Sequence, residues 1–494
     1  MFNNNPIFLT QKRLVHRGGL LAAILIAALL GLSFLSGLIA YLAAPTDFPS
    51  FHSPPEVGKV FYGWTIGVEI LVLIIGGFSR VSNNLANERK SGMWDANRLT
   101  PLKPSQLVLG YWMGSPLREF YMALVLAGTG LVVVLLGKLP ITIWLGSQVL
   151  IFSTALFFGL LAALVGFVFQ RPQNAVIFLA LFCFGQAISF AMPQYAVTNF
   201  LLPVYGIIHL FFVDAGLNDD YFQLWGGAPQ IFGLPIYPIL LTLGLQFLIG
   251  IFLWRAALRK TANPFQPVLL RWEAIAIFGI LLVAQHGLMW NLWHGRFSAD
   301  RDLDHGLLPS FVQGGTILLG SIILACTCPQ PETVRLKAMR LGLKNVGSIF
   351  PGSAVAVGLL LTVVAAIISL SQFIRDLAHL WEVYLIAVGN LLAFFLVFPL
   401  LLDFCRLRFR RRAIGFVALW LFVLCLLPYI LAVIFTNGAI AEFSLLSPGL
   451  FALASTHDTN LNYLLGIVAG HLGIAVLLFI NWRRQWKQLL ARTA

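Results

Sequence analysis

Residues 20–44 read LLAAILIAALLGLSFLSGLIAYLAA, 25 positions without a charge. At 1.5 Å per residue, about 20 apolar residues in a helix cross the roughly 30 Å hydrocarbon core of a bilayer. A secretory leader carries an apolar region of only about 7–15 residues. Lys12, Arg13 and Arg17 precede the run and Ala43-Ala44 close it, yet Pro45 sits badly just after a cleavage point. The segment is therefore expected to be a retained membrane-spanning helix.

The rest of the chain repeats the pattern. Of 494 residues, 59% are hydrophobic and 10% are charged, against about 25% charged in a soluble domain. That much apolar surface cannot be hidden in a water-soluble core, so the bilayer is the solvent. Runs long enough to span lie near 20–44, 61–79, 120–137, 141–169, 175–192 and 234–254. A second set lies near 274–290, 307–326, 353–370, 383–402, 413–435 and 461–481. With the N-terminus inside, the cytoplasmic segments hold 27 Lys plus Arg and the outer segments hold 5 (Lys59, Lys138, Arg296, Arg301, Arg375). This asymmetry follows the positive-inside rule. The net charge of +13 is thus topological, and no nucleic-acid partner is implied. The expected fold is an all-α polytopic membrane protein of about twelve transmembrane helices in the plasma (inner) membrane, with both termini cytoplasmic. Cys183, Cys326, Cys328, Cys405 and Cys425 lie in or beside apolar runs, so no disulfide is expected, and Cys326-Thr-Cys328 has no companion ligands for a metal.

Residues 199–212 (NFLLPVYGIIHLFF) are apolar but number only 14 and are interrupted by Pro203 and Gly206. A crossing here would move Arg255, Arg259 and Lys260 outside, so a re-entrant or interfacial element between helices five and six is expected. The polar stretch 255–271 divides the chain into a six-helix unit, 1–262, and a second six-helix bundle, 263–494.

One inner segment is longer than topology requires. Residues 80–118 read RVSNNLANERKSGMWDANRLTPLKPSQLVLGYWMGSPLR. It mixes Arg89, Lys90, Arg98 and Lys103 with the acids Glu88 and Asp95, and adds Met93, Trp94 and Leu99. Trp, Arg and Met are enriched at protein interfaces. Gly92 can end the helix leaving the membrane, and Thr100-Pro101 and Lys103-Pro104 can restart the next. The segment reads as a short helix across the cytoplasmic face, with its Trp exposed to a soluble partner.

The pattern Glu88-Arg89-x-x-Gly92, then Asp95, Leu99-Thr100-Pro101-Leu102 and Leu109-Gly110 resembles the inner loop of ABC-2 type permeases, which reads approximately E-R-x-x-G-T-x-E, then a leucine and T-P-L, and ends in G-K. Here Met93 replaces Thr, Asp95 replaces Glu and Tyr111 replaces Lys. Asn5-Pro6-Ile7 and the basic stretch after it are similar to that family's N-terminal interfacial helix. Plotted at 100° per residue, Ile7, Phe8, Leu14 and Val15 share one face and Lys12, Arg13, His16 and Arg17 the other. The resemblance covers roughly 1–262. It implies the membrane-spanning subunit of an exporter, contacting separate ABC ATPase subunits through Glu88, Arg89, Gly92, Met93, Trp94, Asp95, Leu99, Thr100 and Pro101. It also implies a homodimer or a second permease chain as partner, besides membrane lipid. No cofactor is expected on this chain, and ATP with Mg²⁺ belongs to the ATPase. Consistently, the nearest approach to a P-loop, Gly130 to Gly137-Lys138, has the wrong spacing and is followed by Leu139.

Glu69 is the one charged residue deep within a spanning run, about 12 Å from its start. An intramembrane carboxylate is costly and marks a functional candidate, so Glu69 is placed on a path for substrate or protons, or in a hydrogen bond between helices with Gln186, Gln246, Asn390 or His471. The outer loop 300–306 (DRDLDHG) fails as an EF-hand, because His305 and Phe311 occupy the positions needing Gly and Glu. The chain is not expected to be an enzyme. Two alternatives remain at this point. A membrane glycosyl- or acyltransferase would use outer acids such as Asp47, Asp214, Asp219, Asp220, Asp300, Asp302 and Asp304. A secondary transporter would show inverted repeats.

Overall fold

The computed structural model describes residues 5–17, 19–42, 54–168, 197–213, 229–263, 266–294 and 461–491, with scattered positions between 323 and 431. Expected helices five and eight to eleven lie largely or wholly outside the described residues, as do loop 300–306, the outer acids and every cysteine but Cys405. The chain forms two compact units, one of 1–178, 199–229 and 236–264, the other of 179–198, 230–235 and 265–494.

In the first unit α1 (Pro6–Arg17), α2 (Leu20–Leu42) and α3 (Pro54–Ile70) come first. A π turn, Leu71–Gly76, joins α3 without a break to α4 (Gly77–Ser91), followed by α5 (Met93–Arg98) and α6 (Pro104–Gly114). Then come α7 (Leu117–Leu136), α8 (Ile141–Val168), α9 (Val204–Val213) and α10 (Pro238–Ala262). The second unit shows a hairpin of β1 (Gln230–Ile231) and β2 (Leu234–Pro235), with Ile231 opposite Leu234, then α11 (Arg271–His294) and α12 (Leu461–Ala491). The hairpin turn, Phe232-Gly233, has positive φ at both residues, which matches the right-handed twist of paired strands. Phe232 N donates to Gly287 O of α11 at 2.9 Å.

Among the described residues six helices are long and apolar enough to cross a membrane: 20–39 in α2, 57–91 in α3–α4, α7, 141–167 in α8, α10, and 465–485 in α12. They correspond to expected spans one, two, three, four, six and twelve, and α11 holds a shorter apolar stretch at the seventh. The chain is a helical transmembrane protein. Span two departs most from expectation. It continues as helix to Ser91, because polar residues such as Asn83, Asn84, Glu88 and Lys90 end lipid contact but not the hydrogen-bond ladder. At the expected re-entrant element, α9 has 10 residues, about 15 Å, well short of the hydrocarbon thickness.

Helix α8 is the hub of the first unit. Its apolar window is 72% buried, against 22–39% for the other spans. Close approach is made possible by small residues, as is usual between membrane helices. A methyl at Gly166 would lie 3.0 Å from the Ser82 carbonyl and 2.8 Å from Leu85 Cβ. Trp112 of α6 donates its indole N–H to Leu156 O of α8 at 2.9 Å.

Helix α1 packs on α6. Asn5 caps it, its Oδ1 accepting from Ile7 N at 3.1 Å, and its amide donates to Gln106 O at 2.6 Å. The buried face is Ile7, Gln11 and Val15. Leu14, expected on that face, is exposed. The reason is Gln11, whose amide bonds (described below) turn the inner face toward it and leave Leu14 at the edge.

A Cβ at Gly110 of α6 would meet Ile7 at 2.8 Å. Gly110→Val is expected to push α1 off α6 at an overpacking cost of about 1–3 kcal/mol. Labelling of an Ile7→Cys reporter in a cysteine-free background should then rise from slow to fast. Unchanged labelling would mean that α1 is not held there.

Candidate functional site

The longest described span, Val57–Ser91, has 35 residues and measures about 52 Å. It exceeds the hydrocarbon core by about 20 Å, so the polar end of α4 stands clear of the apolar layer. Gly92 stops the helix, with φ 77° and ψ −4°, a left-handed cap that a side chain would strain. Helix α5 starts at once after Gly92, Leu99–Lys103 forms the second, longer link, and α6 begins at Pro104 with Lys103 N donating to Gln106 Oε1 at 3.0 Å. Residues 88–101 therefore form an elbow at the end of a membrane helix.

The inside of the elbow is a polar cluster in an aromatic wall. The Tyr111 hydroxyl donates to Glu88 Oε2. Asn97 donates its amide to Tyr111 Oη at 2.8 Å, and Gln11 of α1 reaches Glu88 Oε1 at 3.4 Å. Asn84 donates to Gln11 Oε1 at 3.5 Å. Burial, and then the hydrogen bond to Glu88 and its charge, push the Tyr111 hydroxyl above the usual tyrosine range. It therefore stays a donor at any physiological pH. Trp94 is only 3% exposed, with its ring 5.5 Å from Tyr111 and 4.8 Å from Phe167. This corrects the expectation of an exposed Trp: the indole is the elbow's own core.

Two arginines tie the elbow to other spans. Arg89 donates to the carbonyls of Phe167 and Gly166 at the end of α8. Arg98 donates to Thr261 O at 2.8 Å and Ala262 O at 3.1 Å, at the end of α10, and its guanidinium lies 3.6 Å from Asp95. The last carbonyls of a helix have no partner within it, and a cation is favoured at that end. Outward, the elbow shows Met93 at 56% exposure and Leu99 at 88%, with Gly92, Asp95, Thr100 and Pro101 around them. Of the nine sequence candidates, Glu88, Arg89 and Trp94 thus face inward or sideways and the other six face out. Asn97 and Gln11 belong to the same construction and were not singled out from sequence, while Tyr111 and Arg98 were noted there only as a departure from the family pattern and as one of the segment's charges.

The second candidate lies within the membrane. Glu69 is 1% exposed and its Oε2 accepts from Gln148 Nε2 of α8 at 3.0 Å. None of the four expected partners fills this role among the described residues. Gln246 instead bonds Ser153, Thr154 and Leu201 O, while Gln186 and Asn390 lie outside them. Gln148 sits beside Ser147 in an otherwise apolar stretch, and that polar pair was the available signal.

Fold and site together define a helical transmembrane protein with a built polar elbow at the end of one span and a buried carboxylate within it. Comparison of the chain with protein-family models, with curated proteins and with solved structures gives no match.

Tyr111→Phe is expected to lower stability by about 1–3 kcal/mol, because it strands Glu88 and Asn97 of a partner. Combined with Glu88→Gln, it should cost less than the sum of the two, since both remove one bond. Additive shifts in the thermal midpoint would show that the two residues act independently.

Proposed function

We propose that the chain is the membrane-spanning permease subunit of an ATP-driven exporter, and that its elbow receives a separate ATPase. The observation that carries this reading is the pair of arginine caps. A displaced elbow moves α3–α4 directly, and α8 and α10 through Arg89 and Arg98. A loop serving only to join two helices needs neither cap, nor an exposed apolar pair at its tip. The resemblance to ABC-2 type permeases in the same residues supports the same assignment. In this reading Met93, Leu99, Thr100 and Pro101 meet the ATPase, while Glu88, Tyr111 and Trp94 keep the elbow stiff enough to transmit its movement. ATP and Mg²⁺ are held by the partner.

The same reading carries about twelve crossings of the plasma (inner) membrane with cytoplasmic termini, a core of 1–262 with a re-entrant element at 199–212, and a second bundle, 263–494. Either that bundle or a second permease chain serves as the core's partner. A second reading, a secondary transporter, is favoured by one observation, the buried Glu69.

Affinity capture of the tagged full chain from its native membrane tests the assignment. An ATPase should co-purify, and Met93→Asp with Leu99→Asp should reduce its recovery and the associated ATP hydrolysis at least about tenfold, equivalent to about 1.4 kcal/mol of binding. Trp94→Phe, which leaves the outer face intact, should retain most of both. A chain that purifies alone and hydrolyses no ATP would shift the assignment to the secondary transporter.

A further inference from the structure

Glu69 and Gln148 by themselves hold more acceptors than donors, and Glu69 has no compensating charge beside it among the described residues. An ionised carboxylate only accepts hydrogen bonds. Gln148 Nε2 satisfies Oε2, but Glu69 Oε1 and Gln148 Oε1 are both buried without a partner among the described residues. Both are acceptors, so no rotation of these two groups lets one satisfy the other. The hydroxyls of Tyr62 and Ser147 are buried beside this pair, near one another but without a well-formed hydrogen bond among the described residues. Tyr62 lies within the influence of Ser147, Gln148 and the Glu69 charge, and its ring is fixed against Phe211 at 5.6 Å.

Among the described residues, the charged and titratable groups on the neighbouring elements do not neutralise Glu69. Helix α8 carries none along its length, and α2 carries none between Leu20 and Ile39. Helix α7 brings Arg118 and Glu119, which pair with each other at 3.0 Å, with Glu119 against Gly76 at the far end of the π turn. Tyr121 also lies on α7, and α9 brings Tyr205 and His209. On its own helix Glu69 has Tyr62, Lys59 ten residues before it and Arg80 eleven residues after it. The hydroxyls of Tyr62 and Ser147 can each donate a hydrogen bond, but no group on these elements supplies the positive charge that an ionised, buried Glu69 lacks.

We propose that Glu69 and Gln148 form a buried binding site for one exchangeable proton. The proton binds at Glu69 Oε1, converting the carboxylate and a hydronium into a carboxylic acid and water, with no other bond made or broken. The acid O–H then donates to Gln148 Oε1 while Gln148 Nε2 donates to Oε2, so that the acid and the amide pair through two parallel hydrogen bonds. Tyr62 and Ser147 each both donate and accept, and they pass the proton to and from the pair. The π turn beginning two residues after Glu69 gives the helix a place to yield when α3 and α8 are joined by two bonds or by one, and such turns recur at functional sites. The site is independent of whether an ATPase binds the elbow.

Infrared difference spectroscopy on the full chain in lipid nanodiscs tests this. At neutral pH the wild type should show the carbonyl band of a buried protonated carboxylic acid, which Glu69→Gln removes. Gln148→Leu, which leaves Glu69 in place, should shift that band by taking away both hydrogen bonds. Raising the pH should reversibly bleach it, since the acid form exists only below its folded-state pKa. The proposal is overturned if Glu69→Gln removes no such band and Gln148→Leu shifts none. It is also overturned if sodium or potassium at constant pH bleaches the band, which would make the site one for a metal cation. Neither readout involves ATP, so its failure is distinct from failure of the coupling assignment.

Discussion

The first unit depends on two guanidinium groups reaching across to helix ends that would otherwise be unsatisfied. The final carbonyls of α8 and α10 emerge from the apolar layer, and each needs a donor. Arg89 and Arg98 supply it from opposite sides of Gly92. Because both arginines belong to one elbow, the ends of three spans are held in one place. A lysine in either position would supply charge but not the planar fork that reaches two carbonyls at once. This constraint explains why the elbow is tight. A longer link between Ser91 and Met93 would leave one arginine out of reach of its helix.

The Glu88–Tyr111–Asn97 cluster follows from the same constraint. A six-residue helix such as α5 does not form alone in water, since nucleation costs more than its few hydrogen bonds return. Tertiary contacts must hold it, and they are Trp94 between Tyr111 and Phe167, Asn97 on Tyr111 and Arg98 on α10. A half-buried Glu with no cationic partner among its hydrogen bonds is here solvated by a phenol and two amides. Such networks are stabilising only when nearly complete, and Gln11 completes this one from α1. The N-terminal helix is therefore part of the elbow's interior as well as a surface element.

Hydropathy made the spans legible because it reports lipid contact, and the positions of α2, α7, α8 and α10 agree with the apolar runs. It stopped span two near residue 79 because lipid contact stops there, although helix does not. Gly92 was legible as a stop, since a left-handed cap favours glycine. The inward turn of Trp94 was not, because a charged local sequence says nothing about Phe167, some seventy residues away. In the sequence Arg89 reads as a contact for a partner ATPase and Arg98 as one of the charges of the same segment; their carbonyl partners exist only after α8 and α10 are placed. Glu69 was legible as a cost the membrane does not tolerate without reason. Its partner was not, because Gln148 is a single amide in a long apolar run and any polar residue at membrane depth was an equal candidate.

The π turn has a geometric cause within this frame. Helices α3–α4 and α8 are pinned to each other at two levels, Glu69 to Gln148 and Arg89 to Phe167. Between the pins the first strut has 20 residue steps, 69 to 89, and the second has 19, 148 to 167. Two straight α-helices of those lengths would differ by one residue, about 1.5 Å in height and 100° in direction. With the rotation uncorrected, Arg89 would point away from α8 whenever Glu69 points toward it. A π turn is the place where a helix takes up an extra residue within one turn, and Leu71–Gly76 lies between the two pins. Taking up one residue there reduces the angle between Glu69 and Arg89 from about 200° to about 100°, a gap that the long Arg89 side chain spans to reach the α8 carbonyls. Glu69 and the elbow therefore lie on one continuous helix, Val57–Ser91, on either side of that turn.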